Sequence, residues 1–258
     1  MTSGTMGAIG ARPAASTGPP VLASAVATWW ADDLATADAG SVTSWVDRVS
    51  GITLSTLTSA PTMRRTGGAN SRPAVEFDGT NNALGVSASD PVSVASQGCV
   101  VVVGQVTTPT NGNIVWASSL DTANNRYIYG CCRFPSVGEL EIQQTSAGGS
   151  DAVRGSTAVP AGTPCLMEWA SSGIAYAHRL NNATQTMTAS AGSNTGDWFA
   201  DTPLRNRFTL GAVAYNNSVI SYNAMKVSLV MVADAELSSG DRTALTAWVA
   251  SYYGLTLS

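Results

Sequence analysis

His178 is the only histidine among 258 residues, and it lies in an alternating apolar run over 174–180. No Ser or Cys sits in a recognisable nucleophile motif, so a nucleophile–histidine–carboxylate relay has no support. Paired carboxylates are the other route to catalysis. Glu139 and Glu141, one residue apart, share a face of any strand they occupy. Glycoside hydrolysis needs two such groups across the scissile bond. That face continues with Gln143 and Thr145, neither of them an acid. A solvated polar face is the simpler expectation, and the chain reads as non-enzymatic. No cofactor is expected from these residues.

A second chemistry is recognition of sugars, in which aromatic faces stack on rings and amides bond hydroxyls. Tyr127 and Tyr129 alternate on one strand face, and Trp116, Trp198, Tyr215 and Asn216, with Asn217 beside it, complete the candidate carbohydrate-binding set. The competing reading is that most of these aromatics pack a core.

The elements that must position them read as strands. Residues 98–104 form a continuous apolar run, the pattern of a central strand covered on both faces. Short strands follow over 113–117, 126–132 and 139–145, separated by turn residues at the spacing of a β-sandwich. Residues 164–170 and 174–180 form a hairpin through Ser171-Ser172-Gly173, and 184–189, 207–211 and 226–233 continue the pattern. Val227, Leu229 and Met231 are expected on one face of the last strand. Trp45 reads as core, whereas Trp29 is open to either role. Ser238 can cap a helix with Asp241 reaching back from three residues on; Leu245, Trp248, Val249 and Tyr252 form its apolar stripe, and Gly254 ends it.

Residues 73–84, Pro-Ala-Val-Glu-Phe-Asp-Gly-Thr-Asn-Asn-Ala-Leu, alternate as a strand and then turn. This segment resembles one in the concanavalin A-like lectin/glucanase, or LamG-like, domains of bacterial surface and bacteriophage proteins. Trp30, Asp32, Trp45, Asp47, Ser50 and Gly51 resemble that family's opening, and residues 235–242 resemble the start of its terminal helix. The likeness covers about residues 26–258. It implies an all-β, two-sheet antiparallel jelly roll with a C-terminal helix over about 238–253. Calcium often accompanies that family, held by loop Asp and Asn oxygens, which here Asp78, Asn81, Asn82 and Asp121 could supply; turns favour the same residue types, so the turn reading is preferred, calcium being the one candidate cofactor. Its glucanases carry three carboxylates on the strand that Glu139 and Glu141 resemble; here Gln143 stands in place of the third.

Residues 1–20 hold Gly, Ala, Ser, Thr and Pro with almost nothing apolar to bury. The expectation is an extended anchoring arm, separate from the 21–258 sandwich, that gains order only against a partner. Thr2, Met6, Ile9, Arg12 and Pro13 are its candidate contacts. The N-terminal residues show no basic stretch followed by an apolar one, so no secretory signal is expected. Net charge is −4, charged residues are 12% and Lys226 is the sole lysine, which removes the electrostatic footprint of a nucleic-acid binder. No apolar run is long enough to cross a bilayer. Cys99, Cys131, Cys132 and Cys165 fit neither a zinc motif nor a small-domain disulfide pattern, and are expected to be buried thiols. The leading expectation is a non-enzymatic bacteriophage virion structural protein, a capsid decoration or head/tail fibre component. It would be made in the host cytoplasm, displayed on the virion surface, held to other virion proteins by its arm, and homo-oligomeric. The alternative is a carbohydrate-binding adhesin that recognises host surface glycan.

Overall fold

The computed structural model describes residues 18–86, 94–109, 113–132, 138–146 and 149–258. The arm contacts Thr2, Met6, Ile9, Arg12 and Pro13 lie outside these residues. In chain order the strands are β1 (Ala25–Trp30), β2 (Ser44–Val46), β3 (Thr53–Thr56), β4 (Thr62–Arg64), β5 (Ala74–Asp78), β6 (Leu84–Gly85) and β7 (Gly98–Val106). Next come β8 (Asn113–Ser119), β9 (Tyr127–Cys132), β10 (Glu139–Ser146), β11 (Gly149–Ala158), β12 (Cys165–Ser171) and β13 (Tyr176–Leu180). The last are β14 (Ala183–Thr184), β15 (Thr188–Ala191), β16 (Arg207–Leu210), β17 (Val213–Tyr215), β18 (Ser218–Ile220) and β19 (Ala224–Ala233), followed by helix α1 (Ser239–Tyr253).

Two antiparallel sheets face each other. One runs β14-β13-β12-β7-β19-β5-β4, with β1 also paired to β19; the other runs β15-β11-β10-β9-β8-β16-β6-β3-β2. The fold is therefore the expected two-sheet antiparallel sandwich with one C-terminal helix. Strand β7 has the double burial that its apolar run implies. Val100 and Val102 enter the core between the sheets, while Cys99, Val101 and Val103 enter a second core beneath α1. Helix α1 contributes Leu245, Val249, Tyr252 and Tyr253 to that second core, with Trp248 partly buried beside them. Ser238 caps it, accepting from the Asp241 N–H at 3.1 Å while its hydroxyl donates to the Asp241 carboxylate at 2.9 Å. Gly254 ends it in the left-handed region, φ 65°.

The residues of the family-like opening form one knot. The Asp47 carboxylate accepts the N–H groups of Val49 and Ser50 at 2.7 and 2.9 Å and also that of Ile52. Trp45 Nε1 donates to the Trp30 carbonyl at 3.2 Å, and the Tyr252 hydroxyl donates to Asp32. Trp45 and Trp29 are both fully buried, Trp29 stacking on Phe208 at 5.8 Å.

Three local expectations are corrected. A bulge at Ser228 breaks the alternation of β19, so Val227 faces the core between the sheets whereas Leu229 and Met231 face the helix. The strand expected over 184–189 is two strands: β14 pairs with β13, and β15 pairs with β11 in the opposite sheet. The chain changes sheets there, with Gln185 buried at the crossing. Strand β11 was not anticipated, because its sequence, GSDAVRGSTA, has little apolar alternation. Its ladders to β10 and β15 hold it in place.

Candidate binding face of the nine-stranded sheet

Strands β8 to β11 lie side by side, and their register sets what the outward face of this sheet presents. Ile128, Cys132, Leu140, Ile142 and Val153 point into the core. The alternate residues therefore point away from it. Across the ladders Gln143 lies opposite Tyr129 and Ala152, Thr145 opposite Tyr127 and Ser150, and Glu141 opposite Cys131 and Arg154.

On this face the structure brings together three of the candidate aromatics. Tyr127 stacks on Tyr129 with ring centroids 5.3 Å apart and planes 16° apart. Tyr215 stacks on Tyr127 at 5.9 Å and 22°. Tyr215 arrives from a different part of the chain, on the β17–β18 hairpin. Both central turn residues, Asn216 and Asn217, have positive φ (51° and 58°), as the tight hairpin turn that matches strand twist requires. Their N–H groups bond the Ala123 and Asp121 carbonyls at 3.3 and 2.6 Å, which ties the hairpin tip to the loop before β9. At its base Val213 packs with Ile114 and Cys131, while Tyr129, Tyr215 and Ile220 pack around them.

Gln143 orders the tyrosine hydroxyls. The Tyr129 hydroxyl donates to Gln143 Oε1, and Gln143 Nε2 donates to the Tyr127 hydroxyl at 3.4 Å. Burial, and then the negative potential of Cys131, Tyr127 and Glu141, pushes the Tyr129 phenol well above its usual range. It therefore remains a donor at any physiological pH. The Tyr127 oxygen accepts from Gln143, so its own proton is directed elsewhere, and no described residue receives it. The result is a row of near-parallel rings with an ordered, partly uncommitted polar rim.

Two of the other candidates belong to the core. Trp116 and Trp198 are each wholly buried and offer no surface to a ligand. A bulge between Ile114 and Trp116 turns the indole inward, so these two residues of equal parity face opposite sides. Trp116 stacks on Phe199 at 5.9 Å and Phe208 at 6.3 Å, and Trp198 packs edge-on against Phe199 at 4.9 Å. The sequence signal for this packing is Gly130. A Cβ there would lie 2.2 Å from Trp116 Nε1, so only glycine leaves room for the indole.

The carboxylates are also placed differently from expectation. Glu139 and Glu141 are 7% and 6% exposed, so their face is not solvated at that end. The Ser190 hydroxyl donates to Glu141 Oε2 at 3.2 Å, and Ser190 comes from β15, whose position the sequence did not reveal. Glu139 Oε2 has no hydrogen-bond partner among the described residues. His178 lies in the core between the sheets. Its Nε2 donates to the Val153 carbonyl at 3.1 Å, its Nδ1 has no hydrogen-bond partner among the described residues, and burial pushes its pKa down to about 4.

The four candidate calcium ligands do not converge. Asp78 Oδ1 accepts the N–H groups of Thr80, Asn81 and Asn82 at 2.8, 3.1 and 3.2 Å, an Asx-type turn. Burial opposes ionisation of Asp78, yet those three donors together hold its carboxyl below the usual range. Asp121 instead accepts from Asn206 at 2.7 Å and Arg207 at 2.9 Å, and both lower its pKa. Among the described residues no three or more His, Cys, Asp or Glu side chains are placed to share a metal ion. All four cysteines are buried free thiols, and burial pushes that of Cys165 up to about 12.

No protein-family model matches the sequence, and no curated protein matches it. Solved structures do. The chain is similar to the CBM40 module of a Ruminococcus gnavus sialidase, in a structure with α2,3-sialyllactose bound. The TM-score is 0.56 with 15% identity, over 67% of this chain and 94% of that one. The fold is that of a lectin-like β-sandwich. Domain 4 of AbnA, a GH43 extracellular arabinanase from Geobacillus stearothermophilus, in complex with arabinotriose, is similar over 72% of this chain and 81% of its own, with TM-score 0.53 and 14% identity. NanB sialidase from Streptococcus pneumoniae is similar over 66% of this chain but only 27% of its own, with TM-score 0.51 and 12% identity.

Proposed function

We propose that this lectin-like sandwich is a non-catalytic carbohydrate-binding domain, an adhesin for surface glycan, whose ligand face carries Tyr127, Tyr129, Tyr215 and Gln143. The observation that carries the reading is the ordered tyrosine row. Its rings come from two separate hairpins, the Tyr127 and Tyr129 hydroxyls are aligned by one carboxamide, and the hydroxyl proton of the central Tyr127 has no acceptor among the described residues. Rigid aromatic groups with a polar rim bind sugars at low entropic cost, because their rotamers are already held. Two similar solved structures support the reading: a carbohydrate-binding module bound to sialyllactose, and an arabinanase domain bound to arabinotriose. The virion structural role favoured on sequence rested on the missing secretory signal, the missing catalytic set and an arm that needs a partner; residues 1–17 of that arm lie outside the described residues. None of the similar structures named above speaks for that role.

The test is a glycan array followed by calorimetric titration of the best ligand. Tyr127→Ala and Tyr215→Ala should each weaken binding by about tenfold, the scale of one good stacking or charge-free hydrogen-bond contact, with cooperative unfolding retained. A glycan that binds both variants as well as wild type would move the site elsewhere. Failure of every glycan class to bind would end the proposal.

A further inference from the structure

The opposite sheet carries a second feature. A cavity of about 540 Å³ opens beside the C-terminal end of α1. Its wall is drawn from three parts of the chain: Asp32 after β1, Arg65 and Thr66 after β4, and Asn70, Ser71 and Arg72 ahead of β5. Neither arginine is ion-paired among the described residues. Arg65 donates from Nη2 to the Leu34 carbonyl at 2.5 Å and to the Thr36 carbonyl, which leaves Nε and Nη1 uncommitted. Arg72 donates from Nε to the Tyr252 carbonyl at 3.3 Å, and its guanidinium lies 4.0 Å over the Tyr252 ring, which leaves both Nη groups. Both guanidinium groups are thus fixed in place before any ligand arrives.

The rim is a tight turn. Asn70 and Ser71 are its two central residues, both in the left-handed region (φ 51° and 54°), and the Arg72 N–H closes it on the Ala69 carbonyl at 3.0 Å. The Asn70 side-chain amide donates to the Tyr252 carbonyl at 3.2 Å. Ser71 is exposed, and its hydroxyl bonds no described residue.

We infer that this cavity is a second ligand site, which takes the carboxylate of an acidic saccharide. Arg65 and Arg72 hold the carboxylate, and Thr66 and Ser71 bond neighbouring ring hydroxyls. Planar guanidinium groups match a carboxylate in two-point contact. Two arginines against the single carboxylate of Asp32 leave the wall net positive, which selects an anion. The volume suits a sugar ring rather than a bare ion. None of these residues belongs to the tyrosine row, so the two sites stand or fall separately.

The experiment is an NMR titration of the ¹⁵N-labelled full chain, read at the arginine Nε–H resonances. Methyl β-D-glucuronide is the probe, methyl β-D-glucoside its neutral match, and sodium sulfate the bare anion. At about 10 mM the glucuronide should shift Arg65 and Arg72, and the glucoside neither. Sulfate should bind about tenfold more weakly than the glucuronide. Arg65→Gln keeps an N–H donor for the Leu34 and Thr36 carbonyls but removes the charge, and should weaken the glucuronide about tenfold. Ser71→Gly, which accepts positive φ freely, should raise the melting temperature while weakening the ligand. Tyr127→Ala should bind the glucuronide as wild type does. An absence of arginine shifts, equal shifts with the glucoside, or sulfate binding as tight as the glucuronide would each overturn the inference.

Discussion

Between about pH 6.5 and 4, acid should destabilise this protein through His178. The His178 imidazole is wholly buried on the core-facing side of β13 with Tyr176 and Leu180, one nitrogen bonded to the Val153 carbonyl and the other without a partner among the described residues. Charging it in place would put a cation into the core without a counter-ion, so its pKa falls from 6.5 to about 4. The unfolded chain takes up the proton near pH 6.5 and the folded chain only near 4. Stability is therefore full above about pH 6.5, declines as pH falls to about 4, and changes no further from this group below that. At about 1.4 kcal/mol per pH unit the whole interval is worth about 3 kcal/mol, a large share of the stability of an ordinary domain. Asp33 and Asp197, whose carboxyls are raised by burial, act in the opposite sense near the lower end of the interval, whereas Asp78 and Asp121, held below the usual range by their hydrogen bonds, act in the same sense there. The comparison that isolates the imidazole is His178→Gln, which keeps a donor for Val153 and cannot titrate. Urea unfolding followed by tryptophan fluorescence at pH 7.5, 6.5, 5.5 and 4.5 gives both stability curves. Wild type should fall relative to the variant by about 1.4 kcal/mol per unit below pH 6.5. Because the chain has one histidine, its imidazole proton resonance also reports the titration without ambiguity. Parallel curves, or a titration midpoint near 6.5, would refute the reasoning.

Two further perturbations test the second core. Val101 is fully buried on β7 beneath α1, so Val101→Asp places a charge there without a partner and should cost several kcal/mol, enough to prevent folding; a soluble variant with a cooperative melt would show that β7 is peripheral. Arg242 on α1 donates to Glu168 on β12, and both side chains are largely buried, so Glu168→Ala should destabilise by about 3 kcal/mol because it leaves the guanidinium unmatched. Adding Arg242→Met should recover part of that loss in urea unfolding, and a single variant within 0.5 kcal/mol of wild type would show that the pair is dispensable.

Much of the scaffold was legible from local chemistry. The run of β7, the alternation and Asp78-Gly79 turn after β5, the β12–β13 hairpin and the Ser238 and Gly254 caps of α1 each depend on residues close in sequence. Tyr127 and Tyr129 could be placed on one face because alternation is a property of a single strand. Which aromatics were exposed could not be read that way. The bulge at Val115 sends Trp116 inward past Gly130, and Ser228 does the same to the parity of β19. A single extra residue reverses every side chain beyond it, and the sequence does not mark where that residue falls. Burial of Glu139 and Glu141 likewise depends on β11 and β15, strands so poor in apolar residues that only their neighbours' hydrogen bonds define them. The stacking of Tyr215 on Tyr127, and the cavity that gathers Asp32, Arg65 and Arg72 around Tyr252, join residues from distant parts of the chain. The sequence supplies these groups and their local geometry; their meeting is decided by the order in which the strands pair, because contacts across a sheet leave no periodic trace in the chain that makes them.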